Sequence, residues 1–204
     1  MKERGILFTP ENVQLILDGA KVQTRRIIKL PKAPNHLGSW KATTSFTTFG
    51  GPQGGKTKDG KICPEEVAIW HTSTGKIFLC PFGTVGDRLY VYVKEGLKRK
   101  GGGIFYRRDD VMVPELDGPK VWRWQRDTLS PLHMPKDCAR LLLEITNVQV
   151  QRLIAIPQLD AMHEGADGPD YKASYKVIWE AINGEGSWAA NPYVWAISFT
   201  RIET

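Results

Sequence analysis

The sequence predicts an α+β fold, a small mixed β-barrel carrying helices at its rim. Three observations predict it. Runs of alternating β-branched and aromatic residues recur at 88–93, 139–153 and 193–202, the period expected of half-buried strands. Helical patterns are few, confined to 10–18, 157–164 and 171–182. The first of these leads directly into a strand, which places a helix at the edge of the sheet.

In chain order, residues 6–8 read as a short extended run before the clearest helix start in the chain. Thr9 is placed to cap, Pro10 takes the first helical position, and Glu11 suits the positive end of the dipole. Val13, Ile16 and Leu17 form the buried stripe. Gly19 can take the left-handed conformation that ends the helix. From Val22 to Lys29 the residues suit a strand, with Thr24, Arg26 and Ile28 on one face and Gln23, Arg25 and Ile27 on the other. Residues 31–82 read as irregular, apart from a hairpin near 67–79. After the strand at 88–93, a further strand is expected at 119–126, where Trp122-Arg123-Trp124-Gln125-Arg126 alternates aromatic and basic residues. The same interleaving would suit base stacking with phosphate contacts. Residues 139–153 form a long strand or bent pair. The helix at 157–164 stops at Gly165 with Glu164 on its last turn, where the helix dipole disfavours a carboxylate unless it is ion-paired or functional. A second helix at 171–182 buries Tyr175, Ile178 and Trp179, and the strand at 193–202 ends the fold.

With 204 residues and 41% hydrophobic content the chain can bury a full core, read here as one domain over 1–204 with an insertion at about 31–79. No apolar run approaches the ~20 residues of a membrane span, and residues 1–5 lack a signal-peptide core, so a cytoplasmic location without membrane contact is expected. Three cysteines, Cys63, Cys80 and Cys138, argue against a disulfide framework. Cys63, His71 and Cys80 could supply three zinc ligands, but no paired CxxC spacing supports a metal. A literal phosphate-loop match, Gly50-Gly51-Pro52-Gln53-Gly54-Gly55-Lys56-Thr57, lacks the preceding apolar strand and the following helix such a loop needs. No pattern calls for a cofactor. Net charge is +6 with pI near 9.2, a surplus that favours polyanionic partners.

The chemistry concentrates in Gly19-Ala20-Lys21-Val22-Gln23-Thr24-Arg25-Arg26. A lysine loses its charge readily on burial, threonine can be a nucleophile, and guanidinium groups match phosphate geometry. A solvated basic turn has the same composition. Arg25, Arg26 and Arg88 are the candidate substrate or phosphate contacts.

Four blocks carry a resemblance to a known family. They are 6–28 with its Gly19-x-Lys21-x-x-Thr24-x-Arg26 core, 80–95 with Cys80-Pro81-Phe82-Gly83 and Gly86-Asp87-Arg88-Leu89-Tyr90-Val91, 132–153 with His133-Met134-Pro135, and 160–165 leading to the terminal strand. Together, covering about half the chain, they resemble the ASCH domain proteins of the PUA-like superfamily, in the larger form often encoded by bacteriophages and prophages. The resemblance implies a β-barrel with a cleft for RNA or a modified nucleoside. One small branch hydrolyses N4-acetylcytidine to cytidine and acetate, using a lysine as proton acceptor, a threonine as nucleophile and a glutamate as proton donor. Carried onto this chain, those roles fall on Lys21, Thr24 and Glu164, although the chain is about twice as long as that branch. Two other readings accompany it: a non-catalytic RNA-binding module, and a phage protein that binds a host factor through the insertion and exposed aromatics.

Overall fold

A computed structural model describes residues 1–31, 39–46, 66–113 and 121–202. The fold is mixed α+β, with eleven strands and three α-helices among the described residues. β1 (Glu3–Phe8) leads through α1 (Pro10–Leu17) into β2 (Gln23–Ile27). β3 (Trp40–Phe46), β4 (Glu66–His71) and β5 (Ile77–Leu79) form an antiparallel sheet, followed by β6 (Arg88–Val93). β7 (Leu97–Lys100), β8 (Gly103–Tyr106) and β9 (Thr128–Leu129) make a second small sheet. β10 (Leu141–Arg152), α2 (Gln158–His163), α3 (Tyr171–Asn183) and β11 (Tyr193–Ile202) complete the chain.

The main sheet runs in the order β1-β6-β10-β11-β2. β1 lies parallel to β6, and the remaining pairings are antiparallel. The ladder ends at β1 on one side and β2 on the other, so the described sheets are open rather than closed into a barrel. Ile6, Phe8, Leu89, Val91, Val93, Leu143, Ile145, Ile197 and Phe199 are all at most 2% exposed and form the main core. Ile69 of β4 packs into that same core, so the described part of the 31–79 insertion adds a sheet to it. A second apolar cluster, with Leu153, Ala161, Tyr175, Trp179 and Val194, fastens α2 and α3 to β11.

The first helix begins as its residues dictate. Thr9 has extended backbone and accepts a hydrogen bond from Asn12 N at 3.4 Å, and Pro10 opens the helix. Gly19 sits at φ +75°, and the chain turns back so that Lys21 N donates to Leu15 O at 3.0 Å. Two expectations are corrected. Residues 121–126 are not a strand: Trp122 and Trp124 pack edge to face, half-buried, while Trp122 Nε1 donates to the Arg126 carbonyl. The alternation reports which side chains are covered, but the edge of β7 is occupied by β9 instead. The region 31–82 is less irregular than expected, because β3 pairs with β4. The phosphate-loop match at 50–57 and Cys63 lie outside the described residues. Among the described residues no helix is long and apolar enough to cross a membrane.

Candidate active site

The turn after Gly19 meets the end of α2. Lys21 and Glu164 form an isolated antiparallel bridge, and Val22 N donates to His163 O at 3.0 Å. Glu164 caps the C-terminus of α2, as the position of Gly165 implied. From there both side chains turn inward, each only 3% exposed. Lys21 Nζ donates to Glu164 Oε2 at 2.7 Å and to the Glu164 backbone carbonyl, also at 2.7 Å. The ammonium thus meets a carboxylate and the negative end of a helix together, which offsets the unfavourable helix position of Glu164.

Arg25 completes the anchor. Its Nη1 reaches Glu164 Oε1 at 3.1 Å and its Nη2 reaches Asp160 Oδ2 at 2.7 Å. Gln23, two residues back on the same face of β2, accepts a further bond from Nη1. With its amide oxygen turned toward the guanidinium, Gln151 of β10 accepts from Nη2 and Nε at 2.6 and 2.9 Å. The Arg25 side chain is wholly buried by these partners. It orients Glu164 and is not free to hold a phosphate.

Thr24 and Arg26 occupy the opposite face, as the strand period requires. Thr24 is 4% exposed, and among the described residues its hydroxyl makes no hydrogen bond. Arg26 bridges the two edges of the main sheet: Nη2 donates to Leu7 O of β1 at 2.7 Å, and the guanidinium lies 4.9 Å from the Phe8 ring centroid. Its Nε is buried without a partner.

These groups border one cavity of about 200 Å³ at the seam between β1 and β2, roofed by α3. Lys21, Thr24, Arg25, Arg26 and Glu164 line it with Phe8, Tyr175 and Trp179. Trp179 Nε1, like Arg26 Nε, is a buried donor with no acceptor. Buried donors are nearly always paired, at a cost of ~1–3 kcal/mol when they are not. Two of them on residues lining one cavity suit a ligand that brings acceptors.

The electrostatics favour neutral or anionic occupants. Three cations (Lys21, Arg25, Arg26) face two carboxylates (Asp160, Glu164) across the cluster. Burial depresses the Lys21 pKa below that of an ordinary lysine. Glu164 opposes this, while Arg26 and Arg25 add to it. Arg26 is lowered chiefly by burial, and the Tyr175 phenol is raised well above its usual value by burial and then by Glu164.

Of the residues expected from the sequence, Lys21, Thr24, Arg25, Arg26 and Glu164 come together. Arg88 does not. It stands at the start of β6, 4.0 Å from Glu3, whereas the cavity opens beyond the other end of that strand near Lys94, ~17–20 Å away along a six-residue strand. His71 is fully buried with Nδ1 facing the Ser73 and Thr74 hydroxyls at 3.1 Å, and Cys80 is half-buried. Among the described residues no group of three His, Cys, Asp or Glu is placed to hold a metal. Trp179, Tyr175, Asp160 and Gln151 were not singled out as site residues, because nothing local marks a helix tryptophan or a strand glutamine as site-facing. No family model, curated protein or solved structure matches the chain.

Proposed function

We propose that the chain is an ASCH-like amidohydrolase that removes the acyl group from N4-acetylcytidine or a similar N4-acylated nucleoside. The observation that carries this reading is the meeting of Lys21, Thr24 and Glu164, 143 residues apart at their extremes, around one cavity whose lining residues Arg26 and Trp179 each hold a buried unpaired donor. In this reading the open seam between β1 and β2, bridged by Arg26, is the cleft of a PUA-like barrel.

The reaction needs a neutral amine as base and a carboxylic acid as proton donor. Lys21 and Glu164 differ from that state by one proton transfer along their 2.7 Å hydrogen bond. Burial lowers the Lys21 pKa and so favours its neutral amine. Thr24 Oγ1 then attacks the acyl carbon while its proton passes to Lys21 Nζ. The carbonyl oxygen becomes an oxyanion, for which Arg26 Nε and Trp179 Nε1 are donors without other employment. Collapse of the tetrahedral intermediate breaks the bond to N4 as Glu164 protonates it, releasing cytidine. In the second half the roles reverse. Glu164 carboxylate takes a proton from the attacking water, the Lys21 ammonium returns one to Thr24 Oγ1, and acetic acid leaves and ionises. The cavity is small beside typical ligand pockets of ~300–1,000 Å³, which suits one acylated base between Phe8 and Trp179.

The test is incubation of the protein with N4-acetylcytidine and other acylated nucleosides, read by mass analysis. Product release by the wild type, abolished in folded Lys21→Ala, Thr24→Ala and Glu164→Gln variants, supports the reading. Activity that survives all three overturns it. One observation favours a non-catalytic binding module instead: Lys21 Nζ is hydrogen-bonded to Glu164, with no bond to Thr24 in this structure. That reading predicts that acylated nucleosides bind and are recovered intact.

A further inference from the structure

Two further cavities follow the Lys21–Glu164 cavity through shared lining residues. Lys94 lines both that cavity and a second one of about 340 Å³, and Ser130 lines the second and a third of about 510 Å³. The second is bordered by Arg107, and the third by Arg123, Trp124 and Arg126. Apart from Lys94 and Glu95, these walls belong to β7–β9 and their flanks.

Surface cations are of two kinds, with and without a carboxylate partner, and the second kind also occurs off this path: Lys29, Lys76 and Lys176 are exposed and, among the described residues, have no such partner. Arg99, Arg108, Arg140, Lys98 and Lys136 each pair with a carboxylate: Asp127, Glu11, Asp109, Asp110 and Glu3 respectively. Lys94, Arg107, Arg123 and Arg126 are exposed and, among the described residues, pair with none. Arg107 reaches only the Glu95 backbone carbonyl, at 3.4 Å. Glu95 is the single carboxylate lining the second and third cavities among the described residues, and its Oε2 is buried without a donor. Trp124 is half-buried against Trp122, an aromatic ring fixed in place within the third cavity.

Unpaired cations at intervals along a groove, with a fixed aromatic ring among them, match the backbone charge and exposed bases of a single-stranded nucleic acid. We infer that Lys94, Arg107, Arg123, Trp124 and Arg126 form a track for single-stranded RNA that leads to the Lys21–Glu164 cavity. The substrate would then be a modified residue within a chain. A bare phosphate chain has no use for Glu95, but a ribose 2′-hydroxyl can donate to it. Which base enters the cavity rests on the proposed function; the track itself does not.

The experiment measures anisotropy of a labelled single-stranded RNA of ~12 nucleotides with the full chain across a salt series. Four phosphate contacts predict a log–log salt slope of roughly −3. Arg107→Gln with Arg126→Gln should weaken binding about tenfold or more and flatten the slope by about 1.4. Trp124→Ala should weaken binding with the slope unchanged. The paired-cation control, Arg99→Gln with Arg108→Gln, should bind as the wild type. Groove variants that bind like the wild type overturn the inference, as does an equal loss in the control, or duplex RNA binding as tightly as single strands. Hydrolysis of free N4-acetylcytidine, measured in parallel, should be unaffected by the groove variants. An inactive protein that still binds RNA through the groove removes the catalytic reading alone.

Discussion

Lys21 is the residue on which the chemistry turns, because a buried lysine beside two arginines holds its proton weakly. Its folded pKa is lowered, with burial as the main cause, so the unfolded chain binds more protons between that depressed value and ~10.4. Stability contributed by this group should therefore rise with pH through that window. The difference in urea-unfolding free energy between wild type and Lys21→Met, followed from about pH 7 to 10, should show this rise in the wild type alone. Parallel profiles would contradict it. At the same scale, Trp179→Phe removes a donor that has no acceptor in the unliganded protein. If that donor meets the oxyanion, kcat should fall ~10²–10³-fold with a smaller change in KM; a change in KM alone would place it on the ground-state ligand instead. Much of the residue-level site was legible. Lys21 and Glu164 stand beside the glycines that follow α1 and α2, and Thr24 lies on the strand leaving the first of these turns; helix ends are local signals. Arg25 was legible as a member of the opposite strand face but not in its role, because Asp160 and Gln151, which tie it down, are over 120 residues away in the sequence.

Two junctions between elements make the site possible. The first joins β2 to α2 through Arg25, which is wholly buried between Glu164 and Asp160. Arg25→Met takes a partner from both Glu164 and Asp160, and ~3–5 kcal/mol of stability should be lost in urea unfolding. A loss under about 1 kcal/mol, in the range of a surface pair, would show that the network bears little on folding. The second junction holds β7 to β9 at Gly96. This residue has φ +76°, and a Cβ there would collide with the Leu129 backbone oxygen. Gly96→Ala should thus cost several kcal/mol, more than the ~1 kcal/mol of a strained glycine alone, and disturb β7–β9 before the Lys21–Glu164 cavity. Amide exchange at β7 and β9 is the readout. Elements with strong period-2 patterns (β6, β10, β11) and the capped helix α1 were readable in advance. β3 and β7 were not, since Lys41-Ala42-Thr43-Thr44 and Lys98-Arg99-Lys100 present polar residues that become strands only through their partners. The reverse error at 121–126 has the same cause: alternation fixes which side chains are covered, and pairing depends on a free edge.

At the scale of the whole molecule, one open sheet places the seam between β1 and β2 at its two free edges, and Arg26 spans that seam. Placing a reactive cluster where the ladder stops leaves room for a ligand without breaking the core. Part of the net charge of +6 lies on Lys94, Arg107, Arg123 and Arg126, which have no carboxylate partner among the described residues. The central claim is that Lys21, Thr24 and Glu164 hydrolyse an acyl amide. Its most direct measurement is the release of cytidine and acetate from N4-acetylcytidine by wild type and by Thr24→Ala, with folding of both checked by circular dichroism. The account predicts stoichiometric cytidine and acetate from the wild type, and a drop of at least ~10³-fold in kcat without the nucleophile. Equal turnover by the two proteins, or intact substrate recovered from the wild type, would contradict it.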